Sequence, residues 1–153
     1  MQYQVEVDID LPRAAVIEKF DNAENLKHWQ RDLVSVEHIS GTPGTRGAKT
    51  KLIYKMGGRK VEMVETITAN DPPKAFHGTY EANGVFNIQE NYFTEVNENK
   101  TKWTSKSEFK FNNFMMKLMG FLMPGSFKKQ SLKYMTDFKN FAENGISVSN
   151  DQN

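Results

Sequence analysis

The chain has 153 residues, which suits a single domain with room for a sizeable core or a core that encloses a cavity. Twenty Lys and Arg against nineteen Asp and Glu leave a net charge of +1, so the overall charge favours neither a nucleic-acid partner nor an anionic membrane. Cysteine is absent, which excludes disulfides, thiol nucleophiles and cysteine-based metal sites.

The first residues carry a strand pattern and no targeting signal. Residues 1–6 lack the basic and apolar regions of a signal peptide, and no apolar run in the chain approaches the ~20 residues that span a bilayer. We therefore expect a cytoplasmic protein without stable membrane insertion. Apolar and polar residues alternate from Tyr3 to Leu11, which predicts a half-buried first strand.

Two short helices are predicted next. Pro12 can occupy the first turn of one helix, and Asp21 can cap a second helix that ends near Trp29. Both are too short to be stable alone, so they must pack on a larger element.

Alternation and turn residues then predict six more strands, at residues 33–39, 49–55, 61–68, 75–82, 85–96 and 101–111. Gly57-Gly58 is typical of a two-residue hairpin turn. That turn would set Tyr54 opposite Val61, and Thr50 opposite Glu65. Because these four residues follow the alternation, Tyr54 and Glu65 are both expected on the inward face of the sheet.

The facing of strand 75–82 depends on the turn at Asn83-Gly84. A three-residue turn leaves His77 outside, whereas a two-residue turn sets His77 opposite Glu90 as a carboxylate–imidazole pair. The apolar residues of this strand favour the first alternative. Pairing Val96 with Thr101 in the last hairpin would place Glu90 on the inward face.

The last forty residues predict an amphipathic helix in two segments. Asn112 or Asn113 can cap it, Pro124-Gly125 interrupts it, and Gly145 ends it. We interpret the Met-rich stretch 114–123 as core and cavity wall in preference to membrane contact. One domain over residues 1–144 and a flexible polar tail over residues 145–153 follow from this pattern.

This order of elements resembles the helix-grip fold of the START, birch-pollen-allergen and polyketide cyclase/dehydrase superfamily, known as SRPBCC. The resemblance covers about residues 2–143 and is carried by residues 9–12, Trp29, the 44–47 loop, residues 65–67 before Pro72-Pro73, residues 101–103 and residues 138–143. It implies an α+β fold in which a curved antiparallel sheet of about seven strands grips the C-terminal helix, with two short helices between strands 1 and 2. It also implies a hydrophobic cavity between sheet and helix.

The expected function is binding, transport or sequestration of a small hydrophobic molecule such as a lipid, sterol or polyketide-like compound in that cavity. Its apolar lining would be Tyr54, Met63, Tyr80, Phe86, Tyr92, Trp103, Met119, Phe127, Met135 and Phe138. Its polar contacts would be Glu65, Glu90, Ser105 and Ser107. The three histidines lack metal-ligand spacing, so we expect no metal and no cofactor, and no catalytic residue is assigned.

Two alternatives stay open. A cyclase or dehydratase would use an inward glutamate, Glu65 or Glu90, as acid or base with a raised pKa. An interaction module, like the superfamily members that activate the heat-shock ATPase chaperone, would instead need an exposed apolar patch of several hundred Å2.

Overall fold

Residues 1–149, which a computed structural model describes apart from the side chains at positions 115, 119 and 120, form one seven-stranded sheet with helices on one side. The strands are β1 (Gln2–Ile9), β2 (Leu33–Ser40), β3 (Lys49–Met56), β4 (Arg59–Asp71), β5 (Ala75–Ala82), β6 (Val85–Asn97) and β7 (Lys100–Phe111). The helices are α1 (Arg13–Phe20), α2 (Leu26–Trp29), α3 (Phe114–Leu122) and α4 (Pro124–Asn144), with a 3-10 turn at Ala23–Asn25. The predicted α+β helix-grip architecture is confirmed.

The sheet order is β1-β7-β6-β5-β4-β3-β2, with every neighbouring pair antiparallel. Strands β2 to β7 therefore form a meander, and β1 pairs with the last strand instead of the next one. The segment containing α1 and α2 leads from one edge of the sheet to the other. Since β1 and β7 are adjacent, the helix after β7 returns beside the first strand.

We call the side of the sheet that faces α4 the inner face. Val5 and Ile9 of β1 and Trp103 of β7 point to this side and are buried with Phe138 of α4. Helix α4 packs on β1 and on α2. Helix α4 therefore covers the inner face on the β1 side of the sheet, and the inner surface of β3, β4 and β5 lies to one side of the helix.

The Gly57-Gly58 hairpin has the predicted register. Tyr54 is opposite Val61, and Thr50 is opposite Glu65, in an uninterrupted ladder between β3 and β4. Both turn glycines have positive φ, at 55° and 81°, which is the backbone conformation that a two-residue turn requires. This turn fixes which side chains of the two strands reach the inner face.

The predicted facing of β6 is wrong. The register between β6 and β7 shifts at Glu95–Asn97, so Glu90 lies opposite Lys106 instead of Ser107. Phe86 and Tyr92, which alternate with the inward residues, consequently lie on the outer face together with Glu90.

The turn at Asn83-Gly84 has two residues, because Ala82 pairs directly with Val85. His77 therefore lies opposite Glu90, as the alternative that we did not favour requires, and both residues are on the outer face. The expectation that His77 lies outside is confirmed, although the three-residue turn from which it followed is wrong.

Most of the predicted helix ends are present, with one correction. Asn113 Oδ1 accepts from the backbone N–H of Met116 at 2.8 Å, and α4 begins at Pro124. Gly145 ends α4 with φ 68°. The cap of the second helical segment is Asn22 and not Asp21, since Asn22 Oδ1 accepts from the N–H of Glu24 at 3.0 Å.

The predicted tail begins where α4 ends, but its described part packs on the domain. Val148 is buried, and the Ser147 hydroxyl lies 2.7 Å from His28 Nδ1. Residues 150–153 lie outside the described residues. No helix within residues 1–149 is long and apolar enough to span a bilayer.

Candidate functional site

An aromatic cluster fills one end of the inner face. The Phe20 ring is in contact with the rings of Trp29, Phe93, Trp103 and Phe138, at centroid distances of 5.0–5.7 Å. A void of about 10 Å3 beside Phe20 is no larger than a water molecule requires. This end of the fold is therefore solid core, and Trp103 and Phe138 belong to it.

A second aromatic cluster holds the beginning of α4 against β1 and β7. The Phe127 ring lies 5.0 Å from that of Phe109 and 5.9 Å from that of Phe111. The Tyr3 hydroxyl donates to the Phe127 carbonyl at 3.1 Å and lies 2.7 Å from the Ser131 hydroxyl. The inner face thus has an aromatic cluster at each end.

Polar side chains occupy the inner face between the two clusters. They are Asn87, Gln89, Asn91, Ser105 and Ser107, and all except Gln89 are buried. Trp103 Nε1 donates to Asn91 Oδ1 at 2.9 Å, and Gln89 Nε2 donates to Asn87 Oδ1 at 2.8 Å. Buried polar groups are costly unless they are paired, so most of this row is satisfied internally.

Ser107 is the exception in this row. Its residue is 4% exposed, and its hydroxyl makes no hydrogen bond of good geometry with the described residues. It lies opposite Tyr3, close enough to lower the pKa of that phenol slightly against the larger effect of burial, which raises it. The Ser107 hydroxyl therefore keeps hydrogen-bonding capacity that its poorly aligned contact with Tyr3 does not use.

Glu65 and Tyr80 extend the polar row onto β4 and β5. They are directly opposite each other, and Asn87 is opposite Tyr80 on the next strand. Burial raises the pKa of Glu65, and a hydrogen bond from Tyr80 partly offsets that rise. Burial also raises the pKa of Tyr80, and the Glu65 carboxylate raises it further. Tyr80 therefore donates to Glu65 as a neutral phenol.

Tyr54 and the middle of α4 border the site on the β3 side. Tyr54 is buried, and its hydroxyl donates to Gln30 Oε1 at 3.2 Å. Burial raises the pKa of Tyr54 most, with smaller contributions from Tyr134 of α4 and from Glu65. Tyr54 thus lies between α4 and the Glu65–Tyr80 pair.

Helix α4 is fixed in this position by a bidentate ion pair. Arg31 Nε donates to Asp137 Oδ2 and Arg31 Nη2 to Asp137 Oδ1, both at 3.1 Å. The Tyr134 hydroxyl also donates to the Arg31 carbonyl, at 3.2 Å. The loop after α2 therefore holds α4 at its distance from β3.

The inner surface of β4, β5 and β6 is only partly covered. Met63, Glu65, Tyr80 and Gln89 are half-buried, whereas the polar groups nearer to β1 are buried. Gly78 occupies the inward position between Phe76 and Tyr80, and a Cβ there would lie 3.8 Å from the Tyr80 hydroxyl. The missing side chain leaves room for the Tyr80 ring, and the atom nearest to such a Cβ would be the Thr66 carbonyl oxygen, at 3.3 Å.

The structure brings six of the predicted ligand-binding residues together on the inner face between or beside the clusters: Tyr54, Met63, Glu65, Tyr80, Ser105 and Ser107. Trp103, Met135 and Phe138 lie in the solid core, and Phe127 lies in the second aromatic cluster. Phe86, Glu90 and Tyr92 lie on the outer face. The side chain of Met119 is outside the described residues.

Sequence reasoning missed three residues of the site, Asn87, Gln89 and Asn91. These residues share one face of β6 with Phe93, because the four positions are two residues apart. Phe93 is buried in the aromatic cluster, so this spacing was a usable signal. The opposite set, which contains Phe86, Ile88 and Tyr92, is more apolar, so the pattern alone favoured the wrong face.

The outer face carries a separate polar group around His77. The backbone N–H of Asn91 donates to His77 Nδ1 at 3.2 Å, and the Tyr92 hydroxyl donates to Glu90 Oε2 at 3.0 Å. An open groove of about 590 Å3 on the same face is lined mainly by charged and polar residues of β4, β5 and the turn after β5: Lys60, Glu62, Val64, Glu81, Ala82 and Asn83. In the part of the chain that the structure describes, no three acidic or histidine side chains are grouped so that they could hold a metal ion.

The sequence profile of one protein family matches residues 1–142. The family is described as polyketide cyclase/dehydrase and lipid transport proteins. None of the curated proteins compared matches the chain significantly.

Solved structures of similar fold cover nearly the whole chain. The Zhui aromatase/cyclase from Streptomyces sp. R1128 has a TM-score of 0.77 at 12% identity, over 94% of this chain and 93% of that one. The protein TTHA0849 from Thermus thermophilus has a TM-score of 0.75 at 14% identity, over 93% and 97%. Ara h 8.0201 has a TM-score of 0.71 at 12% identity, also over 93% and 97%. At these identities the likeness shows the fold.

Proposed function

Because the family's sequence profile matches residues 1–142, the chain belongs to the polyketide cyclase/dehydrase and lipid transport family. We propose that the protein binds a small, mainly apolar molecule on the inner face beside α4. The observation that carries this proposal is the row of buried polar side chains between the two aromatic clusters, within which the Ser107 hydroxyl has only a poorly aligned contact with the Tyr3 phenol. A purely structural core would gain stability by replacing such a group with an apolar one.

The row also suggests the chemistry of the ligand. Tyr54, Met63 and Leu52 offer apolar contacts on β3 and β4, whereas Ser107 and Glu65 offer hydrogen bonds at opposite ends of the row. A plain hydrocarbon chain would offer no hydrogen bond to either group. A polyketide-like or sterol-like molecule with hydroxyl or carbonyl groups on an apolar skeleton fits better.

The width of the row limits the ligand's length. From Glu65 on β4 to β7 there are three inter-strand steps of ~4.8 Å, and Ser107 lies two residues along β7 from Phe109, the residue in register with Glu65, so the two positions are about 16 Å apart. A ligand that reaches both groups is therefore about as long as three or four fused rings.

Native mass spectrometry of the purified protein after incubation with a total cell-lipid extract tests the proposal. We expect the protein to retain a small molecule. The same molecule should displace the fluorescent probe 1-anilinonaphthalene-8-sulfonate from the protein. Glu65→Gln and Ser107→Ala should each weaken retention, whereas Glu90→Gln, the same change on the outer face, should not. Absence of any retained molecule, or equal retention by all three variants, would contradict the proposal.

A second candidate function is acid–base catalysis on the bound molecule, and the Glu65–Tyr80 pair favours it. Burial raises the pKa of Glu65, which brings its proton exchange closer to neutral pH. In a dehydration, the Glu65 carboxylate would remove the α-proton of a β-hydroxy ketone. The carboxylic acid formed in this way would return that proton to the β-hydroxyl, which leaves as water as the C=C bond forms, and Glu65 would again be a carboxylate. Phe86 and the other outer-face residues have no part in this reaction.

The catalytic candidate is distinguished from binding by comparing retention with turnover. Dehydration of a β-hydroxy ketone bound at the inner face would be followed as a loss of one water in mass spectrometry. Glu65→Gln should abolish turnover, while Tyr80→Phe should slow it. Unchanged turnover in Glu65→Gln would exclude this role and leave the binding proposal standing.

A further inference from the structure

Helix α3 presents an apolar stripe to solvent. Phe114, Leu118, Phe121 and Leu122 are spaced i, i+4, i+7 and i+8, so they share one face of the helix. Phe114 is 76% exposed, Phe121 81% and Leu122 66%. The expectation that residues 114–123 form core and cavity wall is wrong for this face. We refer to these four residues as the α3 stripe.

The chain around the α3 stripe is strongly basic. Residues 109–136 contain five lysines and no Asp or Glu, although the whole chain is nearly neutral. The remaining residues hold fifteen Lys and Arg against nineteen Asp and Glu, so the rest of the chain is acidic. All five lysines of this segment are exposed: Lys110, Lys117, Lys128, Lys129 and Lys133.

We propose that the α3 stripe docks the protein onto a lipid bilayer that contains anionic lipids. Exposed aromatic and leucine side chains on one helical face, with lysines around them, are the combination that inserts into the boundary between headgroups and acyl chains. The nine residues of α3 span about 14 Å, so the helix lies in the plane of the interface and does not cross it. This docking is independent of the ligand proposed for the inner face.

Charge distinguishes a lipid surface from a second copy of the chain. A two-fold dimer through the α3 stripe would bring two copies of this basic segment towards each other, and like charges repel. An anionic bilayer instead gains from each lysine near its surface.

Flotation with large vesicles tests the docking. The full chain would be mixed with vesicles of phosphatidylcholine alone or of phosphatidylcholine with about 30% phosphatidylglycerol, in about 0.1 M and 0.5 M NaCl. We expect binding to the anionic vesicles only, reduced at the higher salt concentration because exposed charges are screened. No binding to anionic vesicles, or equal binding to both compositions, overturns the proposal.

Matched variants separate the stripe from its lysines. Phe114→Ser with Phe121→Ser and Leu122→Ser should abolish flotation, whereas Val34→Ser with Ile39→Ser and Val96→Ser, at exposed apolar residues elsewhere, should not. Lys128→Gln with Lys129→Gln should weaken partitioning about tenfold or more. Lys27→Gln with Lys60→Gln, at exposed lysines elsewhere, removes the same charge and should leave it within about twofold. Equal effects of a test set and its control set overturn the proposal.

A single label reports the orientation directly. Because the chain has no cysteine, Leu122→Cys provides a unique site for an environment-sensitive dye, and Val34→Cys provides the control site. We expect a blue shift of the Leu122→Cys emission with anionic vesicles and none for Val34→Cys. Concentration-dependent dimerisation that the triple serine variant of the stripe abolishes would instead assign the stripe to a second copy and overturn the lipid proposal.

Discussion

Glu65 on β4 and Tyr80 on β5 lie opposite each other on the inner face, and the Tyr80 hydroxyl donates a hydrogen bond to the Glu65 carboxylate. The pair places an ionisable group among half-buried residues beside α4. Two opposed effects act on the pKa of Glu65: burial favours the protonated carboxyl, and the hydrogen bond from Tyr80 favours the carboxylate.

Removing the Tyr80 hydroxyl should raise the pKa of Glu65 further. In Tyr80→Phe the ring remains in place and only the donated hydrogen bond is lost, so the carboxylate loses its main stabilising partner. The measurement is the pH dependence of the Glu65 side-chain carbonyl shift by NMR in both proteins. Tyr92→Phe, which removes the hydroxyl that donates to Glu90 on the outer face, is the control and should not move the Glu65 titration. A fall in the pKa of Glu65 in Tyr80→Phe would show that the hydrogen bond is absent in solution.

The Trp103–Asn91 hydrogen bond should couple these residues energetically. Both are buried, and Asn91→Ala leaves the indole N–H without its acceptor while Trp103→Phe leaves the amide oxygen without its donor. We expect the loss in unfolding free energy of the double variant to be smaller than the sum of the single losses by about 1–2 kcal/mol. Urea denaturation measures all four proteins, and Asn91→Ala combined with Lys60→Ala should be additive within about 0.5 kcal/mol. Strict additivity of Asn91 and Trp103 would argue against the hydrogen bond.

The inner face can be predicted correctly from the sequence where a turn type determines the register. Gly57-Gly58 permits only a tight turn, so the alternation of the two flanking strands is enough to place Tyr54 and Glu65 on the inner face. At the other end of the sheet, an irregularity at Glu95–Asn97 moves every side chain of β6 to the opposite face. No residue type at that position marks a bulge, and both faces of β6 carry apolar residues.

The position of α3 illustrates a second limit. Its composition is compatible with a buried helix and with an exposed one, because helical periodicity fixes which residues share a face and not what covers that face. The Asn113 cap marks the beginning of α3, and Pro124, the first residue of α4, follows its end. Only the tertiary structure shows that Phe121 and Leu122 point to solvent.

The Arg31–Asp137 pair should contribute more to stability than the surface ion pairs. Asp137 is largely buried, and both of its carboxylate oxygens accept from Arg31 at 3.1 Å. Asp137→Asn should lower the unfolding free energy by about 1–2 kcal/mol, since it weakens two charge-assisted hydrogen bonds. The control is Glu6→Gln, whose partner Lys102 lies 4.0 Å away at the surface and whose loss should cost no more than about 0.5 kcal/mol. Equal losses in the two variants would show that the α4 pair contributes no more than a surface contact.

Glu143 and Glu65 should change stability with pH in opposite directions. Burial opposes ionisation of Glu143, but the Lys139 ammonium at 2.8 Å and the Asp10 N–H at 2.7 Å outweigh it and lower the pKa of Glu143 below 4.5. Its contribution is therefore complete above pH 4.5 and is lost as the pH falls through the folded-state pKa. The pKa of Glu65 is raised, so its contribution is complete below pH 4.5 and is lost as the pH rises.

Urea denaturation between about pH 3.5 and 7.5 of the wild type, Glu143→Gln and Glu65→Gln compares the two directly. The stability advantage of the wild type over Glu143→Gln should grow as the pH rises towards 4.5 and then stay constant. Relative to Glu65→Gln, the wild type should lose stability as the pH rises above 4.5, because the folded state resists ionisation of that carboxyl. A slope of the same sign for both variants would contradict the opposite environments of the two carboxylates, that of Glu143 beside Lys139 and the Asp10 N–H and that of Glu65 on the inner face.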